Sequence, residues 1–195
     1  RGSMTDATMM IFALLGMSIP SFLLALLLVL LFGVQLGWLP VAGYRAISDG
    51  LLEHLKYLIL PAISLGMIQA ALIARMTRSS MLEVLNMNYI KTARAKGVKN
   101  FKLIVKHASR NALLPILTVV GQTFGSLITG AVVVETVFNI PGIGQLIINS
   151  VERRDFAVIQ GVILFITFLY IVLNLIIDIL YGIVDPRVRL DRKGD

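Results

Sequence analysis

The chain has no cysteine among its 195 residues. Disulfides, thiolate metal sites and cysteine nucleophiles are therefore excluded, while the compartment stays open. There are only two histidines and one tryptophan. His107 has no second histidine or carboxylate within helical reach, so it reads as structural rather than as a metal ligand. His54 and the eight scattered methionines form no nickel-selective cluster. No G-x-x-x-x-G-K-[ST] sequence is present, so the chain cannot cradle the phosphates of ATP by that device. No serine–histidine pairing stands at a plausible catalytic spacing. Charge is also scarce, at 15% of residues.

What remains is apolar. Hydrophobic residues make up 57% of the chain, and its mean hydropathy is +0.85. Uncharged stretches run over Ala7–Tyr44, Tyr57–Ala74, Asn111–Val134 and Phe156–Ile177. A helix needs roughly 20 residues to cross about 30 Å of hydrocarbon. Four membrane helices are expected, at about 10–33, 57–76, 111–134 and 156–181, giving an all-α polytopic bundle. Lys56 and Arg75 border the second run, where their stems extend and their charges reach the interface. Gly37-Trp-Leu-Pro40 falls at an interface, where tryptophan is favoured. The first run lacks a basic leader and a small-residue cleavage site, so it is not read as a signal peptide. Arg1-Gly-Ser3 before Met4 reads as a vector-derived leader, leaving 4–195 as one membrane domain.

Orientation follows from lysine and arginine, which are retained on the cytoplasmic side. The segment Arg75–Arg110 carries nine of the 18 basic residues and one acid, Glu83. It is expected inside, as a cytoplasmic segment at about 77–110. The loops at about 34–56 and 135–155 are balanced or acidic and are expected outside. The tail is basic again at Arg187, Arg189, Arg192 and Lys193, which puts both ends in the cytoplasm. The net charge of +7 is thus topological. Nucleic acid is not expected as a partner, since the basic segment offers few aromatic or groove-reading residues.

The inner segment has its own organisation. Ser79–Lys96 contains good helix formers without Pro or Gly, and Gly97 then supplies a stop or bend. Beyond it, Phe101, Ile104, Val105 and Ala108 recur at helical spacing, with Lys99, Lys102, Lys106 and Arg110 opposite. The apolar side would bury against the membrane helices or a partner. The basic side would meet lipid headgroups or acidic protein. A structural membrane scaffold that binds anionic lipid is the alternative this composition allows.

Tyr89-Ile-Lys-Thr-Ala-Arg-Ala-Lys-Gly97, continuing through Lys106-His-Ala-Ser-Arg-Asn-Ala-Leu-Leu-Pro115, resembles the coupling segment of ABC importer permeases of the dipeptide, oligopeptide and nickel branch. Further similarity, in the same order, lies at Ser18–Phe22, Leu36–Tyr44, Arg75–Leu85, Glu135–Gly144, Arg154-Asp155 and Asn174–Asp178 leading to Asp185-Pro-Arg187. The wider importer pattern begins Glu-Ala-Ala, whereas Lys91-Thr-Ala93 stands here, a change the peptide and nickel branch shares. Such permeases resemble six-helix chains of about 300 residues, and the similarity begins near the third helix, so a chain short of two helices is expected.

The resemblance implies a non-catalytic permease subunit. It implies a second permease subunit, two ABC ATPase subunits that hold ATP and Mg, an extracytoplasmic solute-binding protein, membrane lipid as surroundings, and no cofactor on this chain. Thr92, Ala93, Arg94, Ala95, Lys96, Gly97, His107, Arg110 and Asn111 are the implied ATPase-coupling residues. Gly97 is read as a tight turn, although helix termination is the commoner role of such a glycine. Gly121, Gln122, Thr123, Gly125 and Gly130 are expected to line the path or to let helices approach closely, and Pro115 is read as a first-turn proline. Glu135, Phe138, Pro141, Gly142, Gly144, Arg154 and Asp155 are expected at the outer gate or against the binding protein. There, Pro141-Gly142 breaks the chain ahead of a short surface helix with Ile143, Leu146, Ile147 and Val151 on one side. Asn174 and Asp178, four residues apart in the last span, are expected to form an intramembrane ion pair with Arg75 or Arg78.

Overall fold

A computed structural model describes residue 8 and residues 19–184, and the described residues are helical with no strands. Helix α1, Ser21–Gln35, follows Pro20 and closes with a π-helical stretch from Val29. Helix α2 is Leu51–Leu85, α3 Asn88–Ala95, α4 Asn100–Phe138, α5 Ile143–Glu152 and α6 Phe156–Val184. Three of them, α2, α4 and α6, are long and apolar enough to cross a membrane. These contain the expected spans 57–76, 111–134 and 156–181. Residues 10–18 of the first expected span lie outside the described residues, and α1 is a shorter apolar helix. Both ends of the chain whose cytoplasmic placement was expected also lie outside them.

The residues divide into two compact units. The first takes the chain up to Ala71 and Phe124–Phe168, and the second Leu72–Thr123 and the chain from Leu169. The long helices therefore contribute one part to each.

In the first unit, Ala25, Leu60, Val134 and Phe138 form the core, with Phe32, Leu39, Leu65 and Ile140 packed against them. The loop after α1 is tied to this core where Gly43 N–H donates to the Phe138 carbonyl at 2.7 Å. Pro61 sits inside α2 and can donate no backbone bond there. Buried Ser64 turns its hydroxyl back to the Pro61 carbonyl at 2.8 Å, so it carries no orphan group into the core. The outer face of α6 in this unit is apolar and bare. Leu164 is 70% exposed and Phe168 62%.

In the second unit, Val84, Ile90, Leu103, Ala108 and Ala112 form a separate core, flanked by Met81, Leu85, Ala93 and Val98. The uninterrupted helix expected over 79–96 is broken instead. Asn86 and Met87 N–H groups bond the carbonyls of Glu83 and Val84, three residues back, and Met87 is extended before α3 begins. Asn86 and Asn88 are weak helix formers that suit such a break. Pro115 also differs from expectation. Because α4 already starts at Asn100, this proline lies in the helix interior rather than its first turn.

Candidate functional site

The second unit assembles the residues singled out around Gly97. Helix α3 presents Thr92, Arg94, Ala95 and Lys96 to solvent, while Ile90 is fully buried and Ala93 packs on the core. Gly97 has φ +78 and ends α3, with its N–H on the Arg94 carbonyl at 3.0 Å and the Val98 N–H on the Ala93 carbonyl at 3.2 Å. This is a left-handed helix stop of the Schellman type, open on all sides at the glycine. The stop and the tight turn are one feature.

After the turn the apolar face expected from periodicity does not bury as a unit. Leu103 and Ala108 are fully buried, whereas Phe101 is 79% exposed, Val105 55% and Ile104 43%. Residues 103–108 are wound as a π-helix, whose wider turn rotates the buried positions to i and i+5. Three large apolar side chains thus stand in solvent beside exposed Lys99, Lys102 and Lys106. Two tethers fix the following residues. Asn111 Nδ2 donates to Tyr89 Oη at 2.6 Å, and Tyr89 Oη donates to the His107 carbonyl at 3.4 Å. Arg110 Nε donates to the Val184 carbonyl, near the end of α6, at 2.9 Å. A cation suits that helix terminus.

In the first unit Glu135 organises the turn between α4 and α5. Its Oε2 accepts the Gln145 N–H, at the third position of α5, at 3.0 Å. A carboxylate at a helix N-terminus satisfies an orphan donor and opposes the positive end of the dipole. Gly142 and Gly144 make room for it: a Cβ on the first would overlap the Glu135 carboxylate, and one on the second would overlap the Val132 backbone. Asn139, at φ 50, stops α4, and its Oδ1 accepts from Gln145 Nε2 at 3.1 Å. Arg154, at φ 55, stops α5, and Asp155 Oδ1 accepts the Val158 N–H at 3.2 Å to start α6. Beside this turn lies an open cavity of about 440 Å3 lined by Pro141, Gly142, Ile143, Gln145, Leu146 and Asn149. The expected short helix is present, but its apolar residues Ile143, Leu146 and Val151 are exposed. Phe138, by contrast, is buried. Expected at the outer gate or against the binding protein, it is 2% exposed and belongs to the core of the first unit.

A family model described as "Binding-protein-dependent transport system inner membrane component" matches residues 1–190. The chain belongs to this family. It is 51% identical over 191 residues to a putative peptide transport system permease protein of Brucella abortus (strain 2308), covering 98% of this chain and 61% of that relative. It is 45% identical over 212 residues to a di/tripeptide transport system permease protein of Pseudomonas aeruginosa (strain UCBPP-PA14), covering 98% and 63%. A probable peptide ABC transporter permease protein of Sinorhizobium fredii is 44% identical over 188 residues, covering 96% and 60%. The chain spans about three fifths of the length of these relatives. With three membrane-length helices, it is a multi-pass component of the inner membrane.

In this inner membrane component the small and polar residues of α4 separate by face. Gly121 is buried, and a Cβ there would lie 2.9 Å from Ile177 Cδ1; a Cβ at Gly130 would lie 3.1 Å from Leu65 Cδ2. Thr123 is buried and donates to the Val120 carbonyl at 2.6 Å, and Gly125 is half-buried. Gln122 alone of the five is exposed. In the last helix, Asn174 Nδ2 donates to the Tyr170 carbonyl at 2.9 Å, and Asp178 is exposed. Among the described residues, Arg45–Asp49 and Lys56–Glu53 form salt bridges, on and just ahead of α2. Tyr89 and Leu103 were not singled out by sequence, although Tyr89 opens the motif and precedes Asn111 by about six helical turns.

Proposed function

We propose that the chain is the membrane-spanning permease part of an ATP-driven importer of short peptides. It works by alternating access, in which the membrane helices open inward and outward in turn. The loops 34–56 and 135–155 face outward, and residues 77–110 and both chain ends face the cytoplasm. Separate ATPase subunits hold ATP and Mg and supply the energy. A second permease, from a related chain, completes the path, and an extracytoplasmic binding protein delivers solute at the Glu135–Asp155 side. The names of the relatives support peptides over nickel. This chain contributes passage and coupling rather than catalysis.

The observation that carries the reading is the exposed trio Phe101, Ile104 and Val105 on a basic element whose other side is anchored in a buried core. A partner with an apolar groove and an acidic rim complements that surface, with the apolar contacts giving stability and the charges steering docking. Co-purification of the intact transporter tests it. Val105→Glu, at an exposed position, is expected to lose the ATPase subunit while the permease keeps its helicity and melting temperature. Retention of the ATPase by that variant, with anionic lipid bound as before, would remove the coupling assignment.

A further inference from the structure

Inside the first unit, away from the coupling segment and the turn between α4 and α5, one polar pair stands in an apolar setting. Gln69 Nε2 on α2 donates to Ser126 Oγ on α4 at 2.9 Å. Ser126 is exposed and Gln69 is partly so. Both lie within about 5 Å of the middle of the apolar stretches 57–76 and 111–134, counting 1.5 Å per residue. Among the described residues the Gln69 carbonyl oxygen makes no hydrogen bond. Thr129, one turn along α4 from Ser126, is also exposed, and its hydroxyl donates to the Gly125 carbonyl at 3.3 Å. Both hydroxyls hold bonds within the protein, but a carboxamide oxygen left without one at this depth is unfavourable against lipid, which offers no donor. The same groups are well placed against water or a polar solute. The bare side of α6 in this unit shows the contrast, with Ile163, Leu164, Phe165 and Phe168 exposed and all apolar.

Resting on the importer reading, we infer that Gln69 and Ser126, with Thr129 beside them, form a mid-membrane hydrogen-bonding station for the backbone amides of a peptide in transit. A glutamine carboxamide has the donor and acceptor set of a peptide group, and the serine hydroxyl both donates and accepts. The pair can therefore exchange its mutual bond for bonds to a peptide unit without net loss. Neither group is ionised, so the station reads the backbone and not the charge of the solute's side chains. A passage serving peptides of varied sequence needs that indifference.

The lack of cysteine in this chain makes the test clean. In the intact transporter, with any partner cysteines replaced, Ser126→Cys and Leu164→Cys are treated with a charged, membrane-impermeant methanethiosulfonate. Reaction requires thiolate, which forms in water and not in hydrocarbon, so Ser126→Cys is expected to react about tenfold faster or more. Turnover with a neutral tripeptide should slow that reaction several-fold. Gln69→Leu should lower tripeptide uptake per ATP hydrolysed, and Gln69→Asn should restore part of it. A thiol at 126 as inert as that at 164 overturns the inference. So does a reactive thiol that peptide turnover never protects, which would assign the pair to contact with the second permease. If the unsubstituted transporter moves no peptide, the importer reading itself fails, a result distinct from either.

Discussion

The Asn111 amide donates to the Tyr89 hydroxyl at 2.6 Å, and that hydroxyl donates in turn to the His107 carbonyl. Through this one phenol, helix α3 is fastened to α4 within the second unit. Tyr89→Phe keeps the ring and deletes both bonds. The expected loss is about 0.5–1.5 kcal/mol per bond, less the part water recovers at an exposed site. Amide exchange over residues 88–95 should quicken while the apolar middle of α4 stays protected. Unchanged exchange in that segment would show the phenol to be an incidental contact.

Gly97 adopts φ +78 with open space where a side chain would go. The cost of Gly97→Ala is therefore backbone strain alone, about 1 kcal/mol. Gly97→Asn should cost less, since asparagine tolerates this conformation. Arginine and alanine should destabilise the segment alike, because no clash distinguishes them. Melting temperatures of the four proteins would check the order Gly, Asn, then Ala with Arg.

Much of this was legible in the sequence because membrane helices are set by length and apolarity, which need no tertiary knowledge. The three spans, the stop at Gly97 and the short helix after Pro141-Gly142 follow from that kind of local signal. What periodicity missed were the positions decided by packing. A helical wheel at 3.6 residues per turn puts Phe101, Ile104, Val105 and Ala108 together, yet the π-helical winding of 103–108 buries Leu103 with Ala108. The burial of Phe138 was not legible either, because it depends on the loop after α1, whose Gly43 N–H bonds the Phe138 carbonyl. The Glu135 cap joins residues ten apart through a turn whose shape no pattern of residue types announces.

Ile90 and Phe101 separate stability from docking in the second unit. Ile90 is fully buried in its core, so Ile90→Ala should cost about 2–5 kcal/mol and expose the amides of α3. Phe101 is 79% exposed, so Phe101→Ala should change stability by less than about 0.5 kcal/mol. The alanine at 101 should nonetheless weaken retention of the ATPase subunit. Hydrogen exchange paired with co-purification reads both effects on the same samples.

Glu135, Gly142 and Gly144 offer a double-mutant cycle at the turn between α4 and α5. Glu135→Ala removes the acceptor of the Gln145 N–H and a favourable charge at the start of α5, an expected loss of about 1 kcal/mol. Gly142→Ala forces its new methyl group onto the Glu135 carboxylate, the movable end of a side chain, so its cost falls once that carboxylate is gone. The two substitutions should therefore be less than additive, by about 0.5 kcal/mol or more. Gly144→Ala meets the Val132 backbone, which cannot step aside, more closely than it meets Glu135 Oε2, so most of its cost should persist in the Glu135→Ala background. Unfolding measured on all five variants decides the point. Equal coupling of both glycines to Glu135 would mean that the turn moves as a whole, and that the carboxylate does not hold α5 by its N-terminus.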